Sequence, residues 1–203
     1  MPSGAGPAAQ IGPRVLSFRA PPGVAPPGAA TGRLALLDRD GVLIVDHGHV
    51  SAPAQVDWIA GVPQAIRSLR EAGYAVVIVT NQAGIAKGLY SEAQFAAFMG
   101  WMVAELAREE ALIDAVYYCP HHPTEGQAPY RADCPCRKPR PGMLLRALAD
   151  AGASPAESLM IGDKETDMQA ARAAGVPGYL FSGGDLGEFV RRLVDPVPRP
   201  RDG

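Results

Sequence analysis

Leu34-Ala35-Leu36-Leu37-Asp38-Arg39-Asp40-Gly41-Val42 is the stretch that decides the fold. Four apolar residues run directly into two carboxylates two positions apart. An uninterrupted apolar run reads as a strand buried on both faces, the mark of a parallel sheet. The charged pair, followed at once by Gly41, cannot stay in that core. It must emerge at the carboxyl end of the strand, where open α/β sheets bind ligands. Neighbouring aspartates repel each other and call for a cation. Magnesium suits an oxygen-only site and keeps several waters, so few protein ligands suffice. Alone, the pair reads equally well as a solvated turn; three later stretches decide between the two.

The 203 residues suffice for one domain with its own core. Net charge is −2 and no basic block occurs, so a nucleic-acid partner is not expected. No apolar run approaches the ~20 residues of a membrane helix, so no membrane partner is expected either. The three cysteines, Cys119, Cys134 and Cys136, fall in one short window. An odd, clustered set is poor disulfide arithmetic and good metal arithmetic. It implies a reducing compartment, and a cytoplasmic protein is expected. A monomer is expected.

Residues 1–33 are rich in Pro, Gly and Ala and lack a continuous apolar segment of signal-peptide type. They read as a flexible arm. Residues 34–194 read as a single domain and 195–203 as a frayed tail. Within the domain, strands are expected near 34–37, 74–79, 113–118, 159–161 and 178–181. The helix after residue 90 is announced by Ser91 and Gln94, a capping box, with Phe95, Phe98, Met102 and Leu106 on one face. Others are expected around Val62–Leu69, from about Pro141, over Thr166–Ala174 and from Leu186. Strands alternating with helices imply a three-layer α/β fold, a Rossmann-like sheet of mainly parallel strands. The connections leave no room for a separate cap domain, so loops must shape the site.

Three of these strands end in polar clusters: Asp38/Asp40, Thr80/Asn81 and Asp163/Lys164. In a parallel sheet those ends share one edge. Carboxylates from two strands supply a magnesium site. Thr80, Asn81 and the amides of Gln82 and Ala83 can bind phosphoryl oxygens. This is equipment for phosphoryl transfer, where positioning and charge stabilisation dominate.

From Leu34 to about Phe181 the chain resembles the haloacid dehalogenase-like phosphohydrolases. The resemblance implies that Asp38 is the nucleophile and forms an aspartyl-phosphate. It implies that Asp40 is the general acid and base, and that Asp38, the Asp40 carbonyl and Asp163 hold Mg²⁺. Asp167 is at most an outer member. Further blocks narrow it: Asp46-His47-Gly48, Thr80 to Gly88, Cys119-Pro120-His121-His122-Pro123, Cys134 to Met143, and Gly162-Asp163-Lys164. Together they resemble the D-glycero-D-manno-heptose 1,7-bisphosphate 7-phosphatases, bacterial enzymes that prepare heptose for lipopolysaccharide or surface glycans. The substrate implied is a small sugar phosphate. Arg137 and Lys138 would clamp phosphate, while Lys164 and the loop Asp46, His47, Gly48, His49 would contact the sugar or its phosphate. Val42 and His49 depart from the family, which commonly has Thr and Tyr there.

Cys119-x-His121 followed by Cys134-x-Cys136 offers four soft ligands for a closed, structural zinc. His122 competes with His121, and the resemblance favours His121. Zinc would close the loop 119–138 and fix Arg137 and Lys138, which directly follow the last ligand. Two rivals share features with this reading. A histidinol-phosphate phosphatase has the same aspartate pair and metal loop. A zinc-stapled binding module without catalysis would have no reason to keep Asp38, Asp40, Lys138 and Asp163 together.

Overall fold

The computed structural model describes residues 12–17 and 32–194. Most of the expected arm and the tail from residue 195 lie outside the described residues. Among the described residues six strands form one sheet: β1 (Arg14–Ser17), β2 (Leu34–Leu37), β3 (Ala75–Asn81), β4 (Ala115–Cys119), β5 (Leu159–Gly162) and β6 (Gly178–Leu180). Their spatial order is β1-β4-β3-β2-β5-β6. Every neighbouring pair is parallel except β1 with β4.

The apolar run of β2 reads as unbroken because two cores share it. Ala35 and Leu37 face one cluster, with Val76 and Ile78 of β3 beside them. Leu34 and Leu36 face the other, with Ala75, Val77 and Val79. Alternation is present, but both faces are apolar. The first face is covered by α1 (Val62–Glu71), α3 (Glu92–Arg108) and α6 (Leu186–Val194). The second is covered by α4 (Gly142–Ala151) and α5 (Glu165–Ala174). The short helix α2 (Ala83–Ala86) follows β3 directly.

The capping box forms as expected. Ser91 N donates to Gln94 Oε1 at 2.8 Å and Gln94 N donates to Ser91 Oγ at 3.1 Å. Phe95, Phe98, Met102 and Leu106 are buried.

One expectation is corrected. Residues 14–17, read as part of a flexible arm, form an edge strand antiparallel to β4, with Val15 opposite Tyr117. Val15 packs on the second core cluster and Leu16 on the first. The strand covers an edge of β4 that would otherwise expose unpaired backbone. A four-residue strand between Gly- and Pro-rich segments carries too little periodicity to announce itself, because its pairing partner is remote in sequence.

Candidate active site

The carboxyl ends of β2, β3 and β5 meet at one edge. Asp38 leaves β2 and its N–H donates to Ile161 O of β5 at 2.9 Å, so the ladder carries the first carboxylate into place. Thr80 lies near the end of β3 and Asp163 just past β5. Asp38, Asp163 and Asp167 offer carboxylate oxygens that lie within 4.8 Å of one another. Asp163 Oδ1 is buried and has no hydrogen-bond partner. A crowded oxygen-only donor set with an orphaned buried oxygen fits a hard divalent cation. Asp167 joins this cluster and is buried, a closer part than the outer one expected. The Asp40 carboxylate does not join it; the resemblance assigns only its carbonyl to the ion.

Gly41 permits this closeness. Its φ is +85°, and a Cβ there would stand 2.2 Å from Asp163 Oδ2.

Lys138 ties the cluster together. Its ammonium lies 3.0 Å from Asp38 Oδ2 and 2.6 Å from Asp167 Oδ1, and it donates to Val79 O at 2.9 Å. The ammonium thus has three close oxygen neighbours, two of them carboxylate oxygens. Burial works against its charge, but Asp38 and Asp167 outweigh that and hold its pKa above the ordinary value. The Asp38 carboxyl is pushed up to about 7, by burial first and by Asp167 and Asp40 after it, with Lys138 opposing. Burial also raises Asp163. Both shifts describe carboxylates waiting for positive charge.

Asp40 is held from another side. Arg39 Nη2 donates to Asp40 Oδ1 at 2.7 Å and to Oδ2 at 2.9 Å. Gln82 Nε2 donates to Asp40 Oδ2 at 3.2 Å and to Thr80 Oγ1 at 2.7 Å. Tyr90 O–H donates to Gln82 Oε1 at 2.7 Å and so fixes which way that amide faces. Because Thr80 Oγ1 accepts from Gln82, its own proton remains to donate.

An open cavity of about 350 Å³ lies over these groups. It gathers every residue expected to face phosphate or sugar except His47. The His47 ring instead meets Asp57, with 2.7 Å between Nε2 and Oδ2. Lys164 Nζ meets Asp46 Oδ2 at 2.8 Å at the mouth, and that contact lowers the Asp46 pKa. Asn81 lines the cavity, yet its amide is committed: Nδ2 donates to Lys138 O at 3.0 Å and Oδ1 accepts from Lys138 N at 3.1 Å. It brackets Lys138 to the end of β3.

Cys119, His121, Cys134 and Cys136 are all buried, with donor atoms within 4.8 Å of one another. No disulfide joins the cysteines. One sulfur at the end of β4, one imidazole on the turn after it and two sulfurs on the returning loop make a soft, four-membered donor set. His122 stands outside it. Its Nδ1 accepts from Glu125 N at 2.9 Å and its Nε2 faces Glu125 Oε1 at 3.5 Å. The loop is also pinned to α2. Gly126 has φ +83°, and a Cβ there would lie 1.9 Å from Ala86 O. Lys87 Nζ meets Glu125 Oε2 at 3.1 Å. Arg137 Nη1 donates to His121 O at 3.2 Å, so the metal loop and the expected phosphate clamp share one scaffold.

Sequence reasoning missed Arg39 and Tyr90. A charged residue between two aspartates and a tyrosine just before a helix cap were the only signals available.

Comparison with known proteins places this geometry. The HAD-hydrolase-like family model matches residues 135–189. The D-glycero-beta-D-manno-heptose-1,7-bisphosphate 7-phosphatase of Pasteurella multocida (strain Pm70) is 48% identical over 145 residues, covering 71% of this chain and 78% of that protein. The protein of the same name from Rhodopseudomonas palustris is 41% identical over 165 residues, covering 81% and 92%. The crystal structure of D,D-heptose 1,7-bisphosphate phosphatase from B. bronchiseptica, complexed with magnesium and phosphate, is 32% identical with a TM-score of 0.67, covering 82% of this chain and 89% of that one. With a relative this similar spanning most of both chains, the protein with Asp38 and Lys138 at its sheet edge belongs to the D-glycero-beta-D-manno-heptose-1,7-bisphosphate 7-phosphatase family of HAD-like hydrolases.

Proposed function

We propose that this chain removes the 7-phosphate of D-glycero-D-manno-heptose 1,7-bisphosphate, in nucleotide-heptose biosynthesis for lipopolysaccharide or surface glycans. The observation that carries the chemistry is the Asp38–Lys138–Asp167 contact beside the orphaned oxygen of Asp163. Family membership carries the substrate. The cavity of about 350 Å³ falls in the size range of a small-molecule site.

Asp38 attacks phosphorus with one carboxylate oxygen. The P–O bond to C7 of the sugar breaks, and Asp40 hands its proton to the departing alkoxide. Asp40, now ionised, takes a proton from water as that water attacks the phosphorus of the aspartyl-phosphate. The P–O bond to Asp38 breaks, releasing phosphate and restoring both carboxyl groups. Thr80 donates its hydroxyl to a phosphoryl oxygen, and the Ala83 amide can face the same group; the Gln82 amide, expected there too, donates instead to Cys119 O at 2.8 Å. Asp38, Asp163 and the Asp40 carbonyl would hold Mg²⁺, with Asp167 behind them. The ion would neutralise charge on the carboxylates and on the phosphoryl group.

Zinc is the metal we assign to Cys119, His121, Cys134 and Cys136, as a structural staple. Residues 34–194, together with the edge strand 14–17, are then the phosphatase domain, with 119–138 as its metal loop. We read the enzyme as a cytoplasmic monomer. The buried, unpaired cysteines support a reducing compartment.

The test is phosphate release, with and without magnesium, from both anomers of the heptose bisphosphate and from histidinol phosphate. Preferential, magnesium-dependent turnover of a heptose anomer is expected. Preference for histidinol phosphate would overturn the substrate, and no turnover of any ester would favour a binding module.

A further inference from the structure

Arg39 is fully buried, among the most enclosed side chains in the protein. Its guanidinium sits 5.7 Å from the Phe95 ring centroid and 5.5 Å from that of Phe98, both on α3. From that slot it grips Asp40 through Nε and Nη2, with four contacts between 2.7 and 3.2 Å. Nη2 also donates to Val50 O at 2.9 Å. Val50 is itself buried and ends the segment 46–50 whose Asp46, Gly48 and His49 line the cavity.

Packing alone does not explain this arrangement. A cation in an aromatic slot loses its hydration, and an apolar residue of similar volume would often serve stability as well or better. What the arginine adds is direction. Asp38, Asp163 and Asp167 gather in one cluster with Lys138, and the Asp40 carboxylate stands outside it. A rigid fork matched to a carboxylate fixes both oxygens at once.

We infer that Arg39 is a positioning residue. It keeps the Asp40 carboxylate apart from the three-carboxylate cluster. It also aims that carboxylate at the leaving oxygen and, through Val50, ties it to the loop that faces the sugar. The inference rests on the reading of Asp40 as the acid. Arg39 acts through Asp40, whose carboxylate it holds.

The test compares two esters by single-turnover release of the leaving group. The heptose ester leaves as a primary alkoxide and needs a proton; an aryl phosphate leaves as a stable phenoxide and needs little help. Arg39→Met keeps the long stem between the phenyl rings and removes the fork. For the heptose ester, release should fall on the order of a hundredfold, the scale of a misplaced catalytic group, while the aryl ester changes little. In an Asp40→Asn background the same substitution should add no further selective loss. Arg39→Lys keeps the charge but not the fork and should show the same selectivity; it carries the test should the methionine variant not fold. Equal losses for the two esters in folded protein, or no loss, would overturn the inference alone, provided Asp40→Asn itself is selective. Equal losses in Asp40→Asn would overturn the acid assignment, and this inference with it.

Discussion

Lys138 Nζ stands 3.0 Å from Asp38 Oδ2 and directs its charge at two carboxylates that would otherwise face each other buried. Breaking a buried ion pair from one side leaves charge without compensation, at roughly 3–5 kcal/mol. Lys138→Met should therefore destabilise the metal-free protein by about that amount, and less when magnesium is present to take up part of the charge. Urea unfolding with and without the ion measures both. Unchanged stability in metal-free protein would show that Asp38 and Asp167 do not depend on the lysine.

A second expectation concerns protons and metal. Asp38 is pushed up to about 7 by burial and its acidic neighbours, and Asp163 is raised as well. A carboxylate with a raised folded pKa holds its proton longer in the folded state than unfolded. In metal-free protein its contribution to stability is therefore present at low pH and declines as pH rises from about 4 to about 7. Magnesium needs the ionised form, so its affinity should move the opposite way. It should climb up to about tenfold per unit toward pH 7 and flatten above. The magnesium-induced rise in melting temperature, compared at about pH 5.5, 6.5 and 7.5, reads this directly. A shift independent of pH would mean that Asp38 is ionised throughout.

The soft-ligand cluster leads to a third. Protein purified without chelators or added metal should carry one zinc per chain, and Cys134→Ser should lose most of it. The loop bears little apolar surface of its own, so losing the metal should raise amide exchange across 119–138. Phosphate binding should weaken in step, because Arg137 donates to the His121 carbonyl and Lys138 follows two residues after Cys136. Metal analysis finding no zinc would sink the staple. Loss of zinc with unchanged phosphate affinity would sink only the link to the clamp.

Much of this was legible because the chemistry sits at strand ends. Leu34–Leu37 advertises a strand buried on both faces, and Asp38 is where it must stop. The clustering of Cys119, His121, Cys134 and Cys136 was legible from residue types and spacing. Long-range geometry was not. His47 looked like a sugar contact, but the fold brings Asp57 to it. Asn81 looked like a phosphate donor, but its amide spans the backbone of a residue 57 positions away. Arg39 was invisible as a positioning group because its slot exists only once α3 packs against the sheet edge. Spacing left His121 and His122 both open; the fold brings His121 to the cysteines, while backbone amides approach His122 Nδ1.

The last prediction turns on Gly41. Its φ of +85° lies in the left-handed region, and a Cβ there would meet Asp163 Oδ2 at 2.2 Å. Two effects are therefore superimposed in Gly41→Ala. Left-handed backbone costs an L-residue about 1–2 kcal/mol, paid as folding stability. The clash displaces the Asp163 carboxylate, which should appear as weaker magnesium binding. Gly41→Asn separates them, because asparagine visits the left-handed region with less strain yet still carries a Cβ. Both variants should lose magnesium affinity to a similar degree, at least about tenfold if one ligand is misplaced. The asparagine variant should recover part of the folding stability. If its magnesium affinity recovers together with its stability, backbone strain rather than Asp163 displacement accounts for the glycine. Gly41 would then be required by the turn and not by the metal site.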